Sequence, residues 1–473
     1  MLKKNTYLKY IVYPVGNISY GVYCLLFTVY CLPAFAQTQQ GNADTISITK
    51  NKKSVSAPLP DCCASPENQE DTTQSGKNKF IFTGSAFTNL VLGKKFDSAG
   101  FEAGFMPVFL YQPTKRLYFV MHLHISAGGG HLHSNQSTTP ASTGTSSGGH
   151  NHGATSPSTT TEATAESGAG IMLYYANLVY FLNPYLTITG GMFPSPFGIY
   201  PERLHLPWQN KLPDAPLGMG HADAAIPLID FGFQASGEVL IRKLNINYAL
   251  SVSNGPSLIE SGSDAGKLSY SNLIDNNKNK AIGGRIGLLP VPNSSLEIGW
   301  FGQRAKVGQN TTTFSGVDAL LYGADISFRE KIKPLKGTID IKGQYNVILV
   351  DKVYYQADPI LTTSVPAEDV NLSDSTYRFK NESKIYFITA AYRPDASRKF
   401  IKNTEYILRY DALNTPCFAV WDVTKTRWTA GIVYWMDTRS AIKFSFQTNQ
   451  SPKPIGQNRT YDNLFIMQWV IGL

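Results

Sequence analysis

KLNINYALSVS, residues 243–253, alternates apolar with polar or small side chains along its whole length. Leu244, Ile246, Tyr248, Leu250 and Val252 fall on one side of an extended chain, and Asn245, Asn247, Ala249, Ser251 and Ser253 on the other. A period of two belongs to a β-strand, whereas a helix would scatter the same residues around its axis. KGTIDIKGQYNVILV (336–350) repeats the pattern, with Ile339, Ile341, Tyr345, Val347 and Leu349 opposed to Asp340, Lys342, Gln344 and Asn346. SAIKFSFQ (440–447) does so again, with Ile442, Phe444 and Phe446 against Lys443, Ser445 and Gln447.

Alternation also occurs in soluble sandwiches, so the connections decide the architecture. Sixteen candidate strands start near 79, 100, 115, 170, 185, 228, 243, 281, 294, 315, 336, 382, 399, 426, 440 and 461. Even-numbered connections are tight: QPTK, LNP, RK, PVPNS, REKIKPL, RPDAS and DTR. Odd-numbered ones include long segments at about 129–168, 195–226, 254–280, 352–379 and 411–425. Short turns at one end and long loops at the other define a transmembrane antiparallel β-barrel, with periplasmic turns and extracellular loops. Hydrocarbon offers no partner for a free N–H or C=O, so a spanning sheet must close on itself. The 26 tyrosines and 25 phenylalanines suit aromatic girdles at the two interfaces. In YDNLFIMQWVIGL (461–473), Phe465, Met467, Trp469, Ile471 and Leu473 form one apolar row reaching the last residue. That row resembles the terminal signal by which barrel-assembly machinery recognises its clients, with leucine in place of the usual aromatic.

The chain is expected to divide into a cleaved signal peptide (1–36), a disordered periplasmic tail (37–77) and the barrel (78–473). Lys3, Lys4 and Lys9 precede the apolar GVYCLLFTVYCL, and Ala34-Phe35-Ala36 fits the small-X-small cleavage pattern. Those three lysines account for three of the eight net positive charges, and +5 on the remainder gives no case for nucleic acid. DTISIT (44–49) looks like the coupling box of TonB-dependent receptors, but too few residues follow it for their plug domain. Cys62 and Cys63 in the tail can be read either as soft-metal thiolates or as a loose disulfide.

A further resemblance lies between Gly190 and Gly237. Gly190-Gly191-Met192-Phe193, then Pro196-Phe197-Gly198, the Glu202-Arg203 pair, a Pro-rich connection and Asp230-Phe231-Gly232-Phe233-Gln234 are together similar to the phosphate-selective porin O and P family. The resemblance implies a porin in which basic residues at a constriction select anions; the nearest equivalents are Arg203, Lys211 and His205. No dense lysine or arginine cluster stands in this segment, so phosphate selectivity is not expected. Independently, the alternation puts Arg116, Arg242, Lys243, Arg285, Arg329, Lys342 and Lys443 on the inward row against Asp230, Glu238, Glu297, Asp325 and Asp340. Seven bases against five acids predict either a slight preference for anions or a set of charges paired across the lumen that simply keep it wet.

The segment HLHISAGGGHLHSNQSTTPASTGTSSGGHNHG (122–153) holds His122, His124, His131, His133, His150 and His152. Neutral imidazoles suit zinc and copper. In RLYFVMHLHIS the odd positions Leu117 to Ile125 face lipid, so His122 and His124 face the lumen and would anchor a metal. The other histidines fall in a Ser/Thr/Gly loop that extends the His-rich region to about 168, and the window reads either as a weak metal site or as hydrophilic filler. The sequence shows no His-Glu-X-X-His pair, no phosphate-binding loop and no local Ser/His/Asp set, so an enzyme is not expected. The expectation is an outer-membrane porin-like channel of a Gram-negative bacterium, passing small hydrophilic solutes by diffusion. It needs no cofactor, contacts outer-membrane lipid, and is compatible with an oligomer. The alternatives are a divalent-metal (copper or zinc) barrel using the His-rich loop, and a non-conducting surface-binding protein.

Overall fold

The computed structural model describes residues 78–93, 99–128, 170–220, 224–270, 273, 278–291, 295–356, 369–371, 376–451 and 461–473. The expected signal peptide and tail, Cys62 and Cys63, and His131, His133, His150 and His152 lie outside the described residues. Sixteen strands form one closed barrel. In chain order they are β1 Lys79–Leu92, β2 Ala99–Gln112, β3 Leu117–Gly128, β4 Gly170–Asn183, β5 Leu186–Pro194, β6 Ile229–Ile241, β7 Leu244–Ser253 and β8 Ala281–Leu289. The second half comprises β9 Leu296–Lys306, β10 Asp318–Ile332, β11 Gly337–Val350, β12 Asn381–Pro394, β13 Thr404–Asn414, β14 Lys425–Trp435, β15 Ser440–Gln450 and β16 Tyr461–Gly472.

Each strand pairs antiparallel with the next, and β16 closes on β1 with Ser85 opposite Gly472 and Leu92 opposite Phe465. The terminal residue completes the seam: the Leu473 N–H donates to the Gly84 carbonyl at 3.0 Å, and its own carbonyl accepts from the Thr83 hydroxyl at 2.9 Å. Closure leaves no sheet edge, which lets the backbone cross hydrocarbon.

The outward row is apolar and uncovered, as a lipid-facing surface must be: Leu250 is 63% exposed, Ile282 65%, Ile388 51% and Leu408 50%. On β7 the inward partners Ser251 and Ser253 are buried. Two expected strand starts move. The strand expected near 399 begins at Thr404, because Lys399–Lys402 winds into a short helix, α2. The strand expected near 315 begins at Asp318, because residues 309–317 turn back on themselves, with the Ser315 N–H donating to the Thr312 carbonyl and the Val317 N–H to the Phe314 carbonyl.

At the long-loop end, connections from β7–β8, β11–β12 and β13–β14 stack into an apolar roof containing Leu258, Ala265, Tyr355, Tyr377 and Phe379. The Trp421 indole N–H donates to the Ala265 carbonyl at 2.9 Å, and the Asn381 amide to the Gly266 carbonyl at 2.6 Å, tying these loops to one another.

Candidate functional site

Residues 195–228 join β5 to β6, and the described ones, 195–220 and 224–228, turn into the barrel instead of out to solvent. Their short helix α1 (Ile199–Arg203) follows Gly198, whose φ of +93° favours glycine. A Cβ on Gly198 would also lie 2.1 Å from the Gln344 side chain on β11, so any larger residue would have to push that amide aside. Gln344 then serves both ends of the approach, accepting from the Tyr200 N–H at 2.9 Å and donating to the Phe197 carbonyl at 3.1 Å.

Three charged clusters pin this segment. In the first, Arg203 forms a fork with Glu297 (Nη2 to Oε1, 3.0 Å), and Glu297 is shared with Arg285, which also grips Asp325 at 2.6 and 2.8 Å. In the second, Lys211 bridges Asp340 at 2.9 Å and Glu405, while Lys342 contacts the same Asp340 at 2.8 Å. In the third, Asp214 lies between Arg409 and Arg427, 2.8 Å from each, and both guanidiniums also bind Asp411 at 2.8 Å. Lys443 has no carboxylate in this arrangement; its ammonium donates to the Pro207 carbonyl and, at 2.7 Å, to that of Asn210.

Apolar contacts fix how deep the segment goes. Leu206 and Leu212 pack against Ile407, Val433 and Val470. Trp208 meets Trp435 edge to face at 5.3 Å, and Trp435 is the last residue of β14 before its tight turn. Residues 195–220 therefore run from the loop end to the turn end and back. The inward row beneath has buried members on every strand, from Ser85 on β1 through Asp230 on β6 and Asp325 on β10 to Gln468 on β16.

Of the residues expected to line the pore, Arg203, Lys211, Arg285, Lys342 and Lys443 belong to this network. Arg116 does not. It has the inward parity, but it lies past the end of β2 in the exposed turn before β3, and Arg242 and Lys243 likewise occupy the turn between β6 and β7. The expected positive bias fails with them. Among the described residues the buried wall carries seven acids (Glu102, Asp230, Glu297, Asp325, Asp340, Glu405, Asp411) and four bases (Arg285, Arg409, Arg427, Lys443). Glu405, Arg409, Asp411 and Arg427 were missed, although EYILRYDAL and KTRWTAG alternate clearly enough to place them inward.

His122 and His124 face inward and are buried, at 1% and 8% exposure. The ring of His122 lies 5.4 Å from that of His205 and 5.2 Å from that of Tyr174. Hence the inward segment covers the strand pair. Among the described residues no group of three or more His, Cys, Asp or Glu is arranged to hold a metal ion. In α1, the half-buried Glu202 has its carboxyl pushed up to about 7 by desolvation, which outweighs the pull of Arg203 and Arg285.

No family model matches the sequence, and no curated protein matches it. Solved structures that resemble the fold are outer-membrane proteins of low identity. The outer membrane channel DcaP of Acinetobacter baumannii is 12% identical with a TM-score of 0.48, over 84% of this chain and 99% of that one. An anion-selective porin from Comamonas acidovorans is 9% identical with a TM-score of 0.43, over 84% and 100%. OmpT of Vibrio cholerae, in its in-vitro folded form, is 10% identical with a TM-score of 0.42, over 85% and 100%. The assignment of a transmembrane barrel rests on this chain's own closed ladder and lipid-facing row.

Proposed function

We propose that the protein is an outer-membrane channel of a Gram-negative bacterium for small hydrophilic solutes, with residues 195–228 as its gate. The supporting observation is how that segment is held. Both of its ends join strands at the same end of the barrel, at Pro194 and Ile229, and none of its described residues belongs to the closed ladder. It can leave the lumen without opening a single barrel hydrogen bond. What it covers is a wall rich in Asp, Glu, Arg, Asn, Gln and Ser. Such a wall suits a water path, whereas in a permanently dry core every one of those groups would carry a desolvation penalty.

Transport on this reading is diffusive and needs no cofactor; outer-membrane lipid and the barrel-assembly machinery are the partners. Selectivity for phosphate or other anions is no part of it, because Arg203 and Lys211 are engaged by acids and the wall has more acids than bases. Planar-bilayer recording tests the proposal: the full chain should open rarely, and a chain lacking residues 199–220 should conduct steadily. Silence from both folded proteins would favour the second reading, a non-conducting surface-binding protein, which the burial of much of the inward row also supports.

A further inference from the structure

On the lipid-facing side, toward the turn end of β11–β16, the wall carries an apolar depression of about 1010 Å³. The register explains its shape. Ile341, Ala390, Leu408, Ala430, Phe446 and Phe465 are successive lateral neighbours around the barrel. Ala390 and Ala430 are methyl-sized in a row of large side chains, so the surface drops on either side of Leu408. Ala390 lies five residues from Asp395, where the turn begins. At roughly 3.3 Å per residue and a tilt near 40°, that is about 13 Å from the rim, within the leaflet on the turn side.

The rim below this depression is basic. The β10–β11 edge supplies Lys331, Lys333 and Lys336, and the β12–β13 connection supplies Arg398, Lys399 and Lys402. The acids on the same edge are Asp395 and Glu330. Asp395 bridges Lys331 at 2.5 Å, and its N–H donates to the Lys336 carbonyl at 2.7 Å, which brings the two connections together. Exposed apolar side chains sit between the bases: Phe400 is 69% exposed and Leu335 52%, and the Phe400 ring packs at a tilt against Tyr434, 5.2 Å between centroids. Cationic and apolar groups interleaved at one level match the boundary between headgroup and acyl chain.

We propose that this face is a binding site for one anionic glycerophospholipid of the periplasmic leaflet, with acyl chains in the depression and phosphate among Lys336, Arg398, Lys399 and Lys402. A second copy of the chain is disfavoured as occupant. A two-fold contact through this face would set the same basic rim against itself, and like charges brought together oppose association. The site does not depend on whether the barrel conducts.

Native mass spectrometry of the full chain, released from detergent micelles holding equal phosphatidylglycerol and phosphatidylcholine, tests the site. One phosphatidylglycerol should be retained in preference to phosphatidylcholine. A basic side chain beside an anionic lipid is worth about five-fold in binding, or about 1 kcal/mol. The combined Arg398→Gln, Lys399→Gln and Lys402→Gln variant should therefore lose up to about a hundred-fold of that preference and still bind phosphatidylcholine as before. Ala390→Phe with Ala430→Phe should displace both lipids while the barrel keeps its folded mobility in gels. Equal retention of the two lipids by the unaltered chain would overturn the proposal, as would a preference that survives loss of the three charges. So would a dimer that disappears when the depression is filled.

Discussion

Asp214→Asn removes the negative charge of the carboxylate that the inward segment places between Arg409 and Arg427. Breaking a buried ion pair outright is worth about 3–5 kcal/mol. Here both guanidiniums keep Asp411 at 2.8 Å, and Arg409 still donates to the Asp214 carbonyl at 3.0 Å. Arg427 likewise keeps the Ala215 carbonyl. The expected loss in docking is accordingly smaller, about 2 kcal/mol, which raises the ratio of undocked to docked segment about thirty-fold. In single-channel recordings this should appear as a matching rise in open probability, with unit conductance unchanged because the wall itself is intact. High salt should not imitate it, since buried pairs are poorly screened. Asp214→Asn combined with Arg409→Gln should fall short of the sum of the single effects, because the two side chains share one contact. If the folded variant opens no more often than the parent, the clamp does not control the lumen and the reasoning fails.

Three further outcomes follow from the same geometry. Leu250→Arg places a charge on an uncovered lipid-facing position and should lower folding stability in vesicles by about 2–4 kcal/mol, whereas Leu250→Phe should be nearly neutral; equal stabilities would put the strand register out by one residue. Glu202 titrates at about 7 in the docked segment, above its ordinary value of 4.5, so the docked form binds the extra proton. Its contribution is complete below about pH 4.5 and is lost progressively up to pH 7, so open probability should climb between about pH 4.5 and 7 and level off above; persistence of that climb in Glu202→Gln would assign it elsewhere. Zinc or copper recruiting His122 and His124 would have to displace Tyr174 and His205 from them, so deleting residues 131–165 should abolish calorimetric binding at pH 7.5, and His122→Ala with His124→Ala should leave it within about two-fold. Binding should weaken below about pH 6 as imidazoles protonate, and its loss in the alanine pair would make the strand histidines the anchor after all.

The barrel was legible because its determinants are local. Alternation in KLNINYALSVS and tight turns such as RK and DTR specify strand, face and hairpin within about ten residues each. Arg116 shows the limit of that rule: parity gives a direction only while the strand lasts, and β2 ends at Gln112. The path of residues 195–228 was not legible. PERLHLPWQNKLPDAPLG has no period, and what draws it inward is a set of contacts with side chains far along the chain. Arg203 pairs with a residue 94 positions away, Lys211 with one 194 away, and Asp214 with one 195 away. Alternation can show that Arg409 and Asp411 face the lumen, but no local pattern shows that they are waiting for Asp214.

Those separations set an order of events in assembly. Loop-closure entropy delays a contact until the intervening chain is organised. Glu297 lies on β9, Asp340 on β11, Glu405 and Arg409 on β13, Arg427 on β14 and Lys443 on β15. None of these partners exists as a wall until most of the barrel has formed. Until then Lys211 and Asp214 remain hydrated, which keeps the nascent loop from burying charge in the lipid phase. Docking is thus a late step in biogenesis, and a chain stalled before its last strands pair would be distinguishable from a finished one by protease access to the segment around Trp208.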